Sequence, residues 1–473
     1  MTIYIHALAF RKDDPERNVR AIAQSARAKS MKAGDVMLLP FQTLTGTVQS
    51  YWQCAEHNRV RNEQWLEKLA GYTKATGVRI LLPAVLSEGV GVVDIQDGHL
   101  GTVAAVATEG GLWMKASESG LDYDVFFRSA AFGEPCDIPS ASNLIVVDGQ
   151  GFNEGRVYLG ASKVVKSGRM RANFLLPQAP FTPQEGSVAW LDDHHLRFAA
   201  MQASLRFYMA ECGFERVTIG LSGGLDSAVV CAVAVSVLGA DKVNAYVLPS
   251  RFTSDESRRD AQALADNLGI KLHEIDIMPT VTTVNDCLQP SIPYWADQSL
   301  MYENLQARVR GLMLMSLSNA DGSLVINTGN KSELAVGYCT LYGDMVGGIA
   351  LLVDVYKSDL YRMCESVAWL RERIPANILK KAPTAELRSN QKDEDSLPSY
   401  ETLDAVLKDL FEGGMNGKQL RKKHGSALAV RVCKLVMRAR FKHLQAPMGV
   451  IMSPVPVKAL PISFYEGLLP KEL

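Results

Sequence analysis

The chain has 473 residues, 47% of them hydrophobic and 21% charged, with a formal net charge of −1. That length allows two or three ordinary globular domains, and the balanced charge excludes any bulk attraction to nucleic acid. Eight cysteines are scattered without a CxxC pair, which excludes a paired-cysteine zinc site and fits reduced thiols in a cytoplasm.

TIYIHALAF (2–10) reads as a strand, PERNVRAIAQSARAKSMKAG (15–34) as an amphipathic helix and DVMLLP (35–40) as a second strand. RKDDPERN follows the first strand at once and no basic stretch precedes it, so no signal peptide is expected, and no apolar run approaches membrane-spanning length. Further strands are expected at VRILLPAV (78–85), LGTVAAVAT (100–108), NLIVVDG (143–149) and RVYLGASKVV (156–165). The Pro-rich polar stretch LLPQAPFTPQEGS (175–187) marks a boundary between domains spanning 1–180 and 190–473.

The second domain opens with a helix, LRFAAMQASLRFYMAECG (196–213), and the short strand RVTIG (216–220). KVNAYVLPS (242–250), KLHEIDI (271–277) and GSLVINTG (322–329) are strands; DESRRDAQALADNLG (255–269) and ENLQARVRGLMLMSLSN (303–319) are helices, and KSELAVGYCTLYG (331–343) opens as another. Strands alternating with helices imply a parallel sheet, with ligands at the carboxyl ends of its strands. Ser222, Ser250, Arg251 and Thr328 all follow such ends.

LSGGLDSAVV (221–230) sits between strand and buried helix. Gly-Gly there is often only a tight turn. Ser222, Asp226 and Ser227 add two hydroxyls and a carboxylate to a turn whose backbone N–H groups face a helix N-terminus, which suits phosphates and the Mg²⁺ that neutralises them. The spacing is not that of a Walker loop.

SGGLDS resembles the PP-loop of the N-type ATP pyrophosphatases. Together with LPSRFTS (248–254), ENLQARVRG (303–311), NTGNKSELAVGYCTLYGD (327–344) and PTAELRSNQKDEDSLPSYETLD (383–404), it identifies a resemblance to NAD⁺ synthetases fused to a glutaminase. The resemblance implies an α/β fold: a nitrilase-like αββα sandwich, here shortened and degenerate, followed by an adenine-nucleotide α-hydrolase-like parallel sheet with helices on both faces. It implies ATP-dependent amidation of deamido-NAD through an adenylate, releasing AMP and pyrophosphate. By the same resemblance, ATP contacts would fall on Gly220, Leu221, Ser222, Gly223, Gly224, Leu225, Asp226, Ser227, Arg251, Thr328, Lys357 and Thr384. Asp226 and Glu333 would hold Mg²⁺ and, with Lys357, form the catalytic set; Asn304, Arg308, Glu333 and Lys442 would meet deamido-NAD.

Plainer roles stand beside these. A glutamate in a helix's first turn, as Glu333 is, often only offsets the helix dipole. Arg308 and Arg310 fall on different helix faces, and Lys442 can be a helix-terminal charge. NQKDEDSLPSY (390–400) reads as a mobile loop whose functional version is a lid over the adenylate.

In the first domain, the glutaminase pattern P-E-L-x-L-T-G is matched by PFQTLTG (40–46), so Phe41 stands where a general-base glutamate belongs and Gln42 is no base either. Lys115 lies near the lysine's expected place without its surrounding pattern. No ICEDxW pattern occurs, and Cys136 in GEPCDIPS is the positional candidate, with Cys54 an unorthodox one. These features predict an inactive glutaminase relic and a synthetase using free ammonia, or ammonia from a separate glutaminase protein. A homodimer or larger homo-oligomer is expected by resemblance. The alternative is a glutamine-dependent synthetase using ammonia from its own or a partner glutaminase, with Cys54 or Cys136 as nucleophile, against which Phe41 argues. GMP synthesis, tRNA thiolation and a non-catalytic nucleotide-binding regulator also compete, but 327–344 argues against the first two, and the presence of both Asp226 and Glu333 argues against the third.

Overall fold

Successive residues of a strand face opposite ways, so a sheet buried on both sides needs apolar residues at both parities. The strands of the first unit satisfy this. Val36 and Leu38 join Leu81, Val92, Leu112, Val125, Phe127, Ile145 and Val147 in one core, drawn from two sheets. Met37, Leu39, Ile80, Leu82, Val93 and Ile95 face the other way, onto Ile22, Ala26, Leu66 and Leu69 of two helices, Pro15–Ala28 and Ala55–Thr76. Phe126, Leu144 and Val146 form a separate cluster with Trp113 and Ala141.

This computed structural model describes residues 193–453 and 455–457, and within the first 190 the segments 3–5, 15–28, 30–40, 55–86, 89–108, 111–128, 139–147, 150–153, 156–159, 163–166 and 169–173. Phe41, Gln42, Cys54, Cys136 and the stretch 175–187 lie outside the described residues. The chain divides into two units, Met1–Trp190 and Leu191–Leu473.

The first unit has a five-stranded sheet in the order Ile3–Ile5, Val36–Leu38, Arg79–Leu86, Gly89–Gln96, His99–Val103. A six-stranded sheet runs Arg169–Asn173, Lys163–Lys166, Leu144–Val147, Asp124–Arg128, Gly111–Met114, Val106–Thr108. LGTVAAVAT is therefore two strands, not one: His99–Val103 pairs with Gly89–Gln96 in the first sheet, and Val106–Thr108 pairs with Gly111–Met114 in the second. Ala104 and Ala105 carry the chain across without a polar or Pro residue, so nothing in the sequence marks the crossing. RVYLGASKVV likewise divides, its halves Arg156–Leu159 and Lys163–Lys166 pairing with different partners.

In the second unit six strands lie in the order Leu272–Glu274, Val243–Val247, Val217–Gly220, Leu324–Asn327, Ile349–Ala350, Met448–Gly449, every neighbouring pair parallel. From Val217–Gly220 the chain first builds outward to one side and then returns to build outward on the other. The switch between Val217–Gly220 and Leu324–Asn327 opens a crevice at their carboxyl ends. The helix Leu225–Leu238 is apolar around most of its circumference because it is buried on nearly all sides. A second core gathers the helices Lys331–Val336, Tyr400–Phe411 and Ser426–His443.

Lys331 crosses that core. Its ammonium is fully buried and meets Asp354 at 2.9 Å, while donating to Ser453 Oγ at 2.6 Å and the Val455 carbonyl at 3.1 Å. Removing one partner of such a pair leaves a buried charge uncompensated. Lys331→Ala is expected to destabilise the second unit by about 3–5 kcal/mol, read as a lower urea midpoint; an unchanged midpoint would show the pair to be dispensable.

Candidate active site

The loop after Val217–Gly220 turns on Gly223, whose φ is +75°. A Cβ there would lie 2.2 Å from the carbonyl oxygen of Ser257, on the helix Asp255–Leu268, so the turn and its close approach to that helix both require glycine. The serines knit the loop. Ser222 N–H donates to Ser227 Oγ at 3.2 Å, Gly224 N–H to Ser222 Oγ at 3.2 Å, and Ser227 Oγ donates to the Gly224 carbonyl at 3.1 Å.

Asp226 follows in the first turn of Leu225–Leu238 and forms an ion pair with Lys357. Lys357 is the first residue of the helix Lys357–Ser366, and its ammonium also stands 3.9 Å from Glu333 Oε1. Asn330 ties the set together: its Oδ1 caps the helix Lys331–Val336 by accepting from Glu333 N–H at 2.9 Å, and its Nδ2 donates to Asp226 Oδ1 at 2.8 Å. Asn330 was missing from the sequence-predicted residues, although Asn at the cap with Glu three positions on is a legible capping pattern. Burial pushes the Glu333 carboxyl up to about 8, reinforced by Asp226 and opposed by Lys357. Burial alone would lower the Lys357 ammonium, but the Asp226 and Glu333 charges more than reverse this and hold it above its ordinary value.

A cavity of about 640 Å³ opens here, lined by every residue assigned above to ATP, Mg²⁺ or deamido-NAD except Arg251; Ser250 does not line it either. Arg251 instead lies over the rings of Phe252 and Tyr302, at 4.9 and 5.3 Å. Thr328 lines the cavity at the end of Leu324–Asn327. Thr384 also lines it, with its hydroxyl donating to the Gln391 carbonyl at 2.6 Å.

Asn304, Arg308 and Lys442 all hold one segment, residues 337–344. Asn304 Oδ1 accepts from Thr340 Oγ1 at 2.7 Å, Arg308 Nε donates to the Leu341 carbonyl at 3.2 Å, and Lys442 Nζ donates to the carbonyls of Gly337, at 2.7 Å, and Cys339. Arg310, on the other face of its helix, donates to the Leu248 carbonyl at 2.8 Å, and burial brings its guanidinium down to about 10. Asp344 closes the segment by accepting from Thr340 N–H at 2.6 Å; burial pushes its carboxyl up to about 6.

Two further cavity residues, Lys381 and Glu386, were not anticipated. Glu386 adopts φ +49° and sits at the N-terminus of the helix Asp255–Leu268, accepting from Ser254 Oγ at 2.8 Å and Ser257 Oγ at 2.7 Å. Lys381 donates to the same Ser257 hydroxyl. Residues 390–400, expected as a mobile loop, are pinned: Asp393 and Leu397 are buried, Tyr400 donates to Asp393 at 2.8 Å, and Asp393 N–H donates to the Pro383 carbonyl at 3.1 Å. Charge and proline suggested an exposed loop, yet Asp393 turns inward to a buried tyrosine. Lys115, in the first unit, is exposed and stands over the Trp113 ring at 5.4 Å. Among the described residues no helix is long and apolar enough to cross a membrane.

Residues 197–446 match the family described as NAD synthase. The chain is 38% identical over 316 residues to a protein of Synechocystis sp. named glutamine-dependent NAD(+) synthetase, covering 65% of this chain and 55% of that one. It is 37% identical over 353 residues to a protein of the same name from Thermotoga maritima, covering 73% of this chain and 59% of that one. The chain thus spans less than two thirds of the length of these relatives. A solved structure of glutamine-dependent NAD⁺ synthetase from Acinetobacter baumannii, in complex with adenosine diphosphate, superposes with a TM-score of 0.68 at 23% identity, over 97% of this chain and 96% of that chain. This likeness carries the fold class: α/β, with a nitrilase-like first domain and a second domain built on a parallel sheet flanked by helices.

Glu333 yields a pH dependence with a definite sign. Burial and the Asp226 charge push its carboxyl up to about 8 in the folded chain, from an ordinary value of 4.5. Between those values the folded chain binds more protons than the unfolded one, so the stability it contributes is present at low pH and is lost as pH rises through about 8. Glu333→Gln is expected to gain thermal midpoint relative to the parent as pH is raised through this window. Two midpoint curves that stay parallel would show that the carboxylate is not desolvated beside Asp226.

Proposed function

The chain belongs to the NAD synthase family, and from that premise we propose that it is a ligase forming NAD⁺ by ATP-dependent amidation of deamido-NAD. The observation that carries this reading is one buried cation, Lys357, set between Asp226 and Glu333 beside a glycine-turned loop, at the point where the order of a parallel sheet reverses. A carboxylate is a poor electrophile, and bringing two anionic reactants together demands positive charge. The nicotinate carboxylate oxygen bonds to the α-phosphorus and the α–β bridging bond breaks, releasing pyrophosphate. The lone pair of ammonia then attacks the acyl carbon, AMP departs from it, and the surplus proton on nitrogen is lost.

In this reading the loop Gly220–Ser227, Thr328, Lys357 and Thr384 surround ATP, with Arg251 at the rim. Asn304, Arg308 and Lys442 shape the dinucleotide's side of the cavity through their common hold on 337–344. Mg²⁺ fits the donor set: Asp226 and Glu333 are hard oxygen ligands beside an open cavity, and among the described residues no larger His/Cys/Asp/Glu cluster makes an all-protein cage. Those two carboxylates would hold the ion, which when bound neutralises phosphate charge. We assign residues 1–180 to the nitrilase-like domain and 190–473 to the synthetase domain, in a cytoplasmic homodimer or larger homo-oligomer.

The names of the relatives favour glutamine as the nitrogen donor, with ammonia released by this chain or by a partner glutaminase. That counters the preference for free ammonia drawn from the sequence. Phe41 in place of the expected base, and the missing cysteine pattern, are the observations that support a degenerate first domain and free ammonia as a second reading.

NAD⁺ formation from deamido-NAD, ATP and Mg²⁺, run with ammonium and separately with glutamine, tests both readings. Product with glutamine supports the first, and its loss in Cys136→Ala or Cys54→Ala would locate the nucleophile. Product with ammonium alone supports the second. Lys357→Ala is expected to lower kcat/KM about 10²- to 10³-fold with either donor; no product from the parent chain with either donor would overturn the proposal.

A further inference from the structure

The first N–H groups of a helix have no partner within it, and a side chain just before the helix normally supplies one. The helix Lys357–Ser366 lacks this arrangement: Tyr356 occupies the cap and makes no side-chain capping bond. Its first two N–H groups are taken up from elsewhere. Lys357 N–H donates to Ser332 Oγ at 2.9 Å, and Ser358 N–H donates to Asp404 Oδ2 at 2.8 Å. Ser332 Oγ in turn donates to Asp404 Oδ1.

The directions of the two backbone bonds are forced. A backbone N–H can only donate, so Ser332 Oγ accepts from Lys357 and turns its own hydrogen to the carboxylate. Asp404 is 1% exposed, on the helix Tyr400–Phe411, and Ser332 is fully buried, so water offers neither an alternative partner. Ser332 immediately precedes Glu333 on one helix; Lys357 opens the other. One carboxylate therefore grips the starts of both helices that carry the cation and its glutamate.

We propose that Asp404 is a positioning residue for the ATP-binding cluster, fixing the spacing between Lys357 and Glu333. The inference rests on the reading of that cluster given above. Asp404 touches no reacting atom; it acts by holding two helix N-termini in register. Replacing it with asparagine keeps the shape but substitutes a donor for one acceptor. With the amide oxygen on Ser358 N–H, the amide nitrogen faces Ser332, whose hydroxyl hydrogen then has no acceptor.

The test compares Asp404→Asn, Ser332→Ala and Ser332→Thr, each alone and with Lys357→Ala, by steady-state kinetics with ammonium as donor and by thermal midpoint. Asp404→Asn is expected to lower kcat/KM for ATP about 10- to 100-fold, while KM for deamido-NAD stays within about twofold. Ser332→Ala should follow in the same direction, and Ser332→Thr, which keeps the hydroxyl, should restore most of the loss. In the Lys357→Ala background Asp404→Asn should cost little more, because its effect is exerted through Lys357. A full, independent loss in that background, or equal losses toward both substrates, would overturn the proposal and leave Asp404 a purely structural residue. If Asp404→Asn does not fold, the Ser332 pair decides the matter by the same criteria. Lys357→Ala with parental ATP kinetics would overturn the reading of the cluster itself, and the role of Asp404 with it.

Discussion

A lysine ammonium cannot be buried alone, because removal from water costs several kcal/mol that only close counter-charges offset. Lys357 is 4% exposed, and the second unit is organised around meeting that demand. Asp226 comes from the helix after the first strand of the sheet, Glu333 from the helix after the fourth, and Lys357 itself from a third. No two of these are close in sequence, so their meeting fixes the mutual orientation of all three helices. The same demand shapes the carboxylates: burial and the neighbouring Asp226 push Glu333 up to about 8, against the opposing pull of Lys357.

Much of this was legible beforehand, for reasons particular to each segment. The strand–glycine–helix sequence at 216–238 is a local pattern, and the helix Asp255–Leu268 ends at Gly269 in the left-handed conformation, as a helix followed by glycine should. The Gly220–Ser227 loop and Thr328 follow strand ends, which alternation reveals. Illegible were the features made by tertiary contact. Nothing local says that Asn304, Arg308 and Lys442 grip a single segment, that Asp393 turns inward, or that Glu386 accepts from the serines opening a helix more than a hundred residues earlier.

The first unit shows the same division. Its strand alternation separates residues facing the second sheet from those facing the helices, so the layering can be read from parity. The split of residues 99–108 between two sheets cannot, because an alanine pair continues the apolar run across the crossing. The expected lysine of a glutaminase, Lys115, is found exposed over the Trp113 ring.

The buried ammonium of Lys331 also bears on how the protein comes to exist. Its partners Ser453 and Val455 lie 122 and 124 positions further along the chain, and the edge strand Met448–Gly449 belongs to the same late stretch. A chain emerging from the ribosome exposes the glycine loop, the Glu333 helix and the Lys357 helix well before the residues that lock them together. Until then Lys331 has an incomplete shell and the sheet lacks its last strand. The second unit is therefore assembled around contacts that close only once residues 448–455 have been made, more than a hundred positions after the glycine loop and the Glu333 helix.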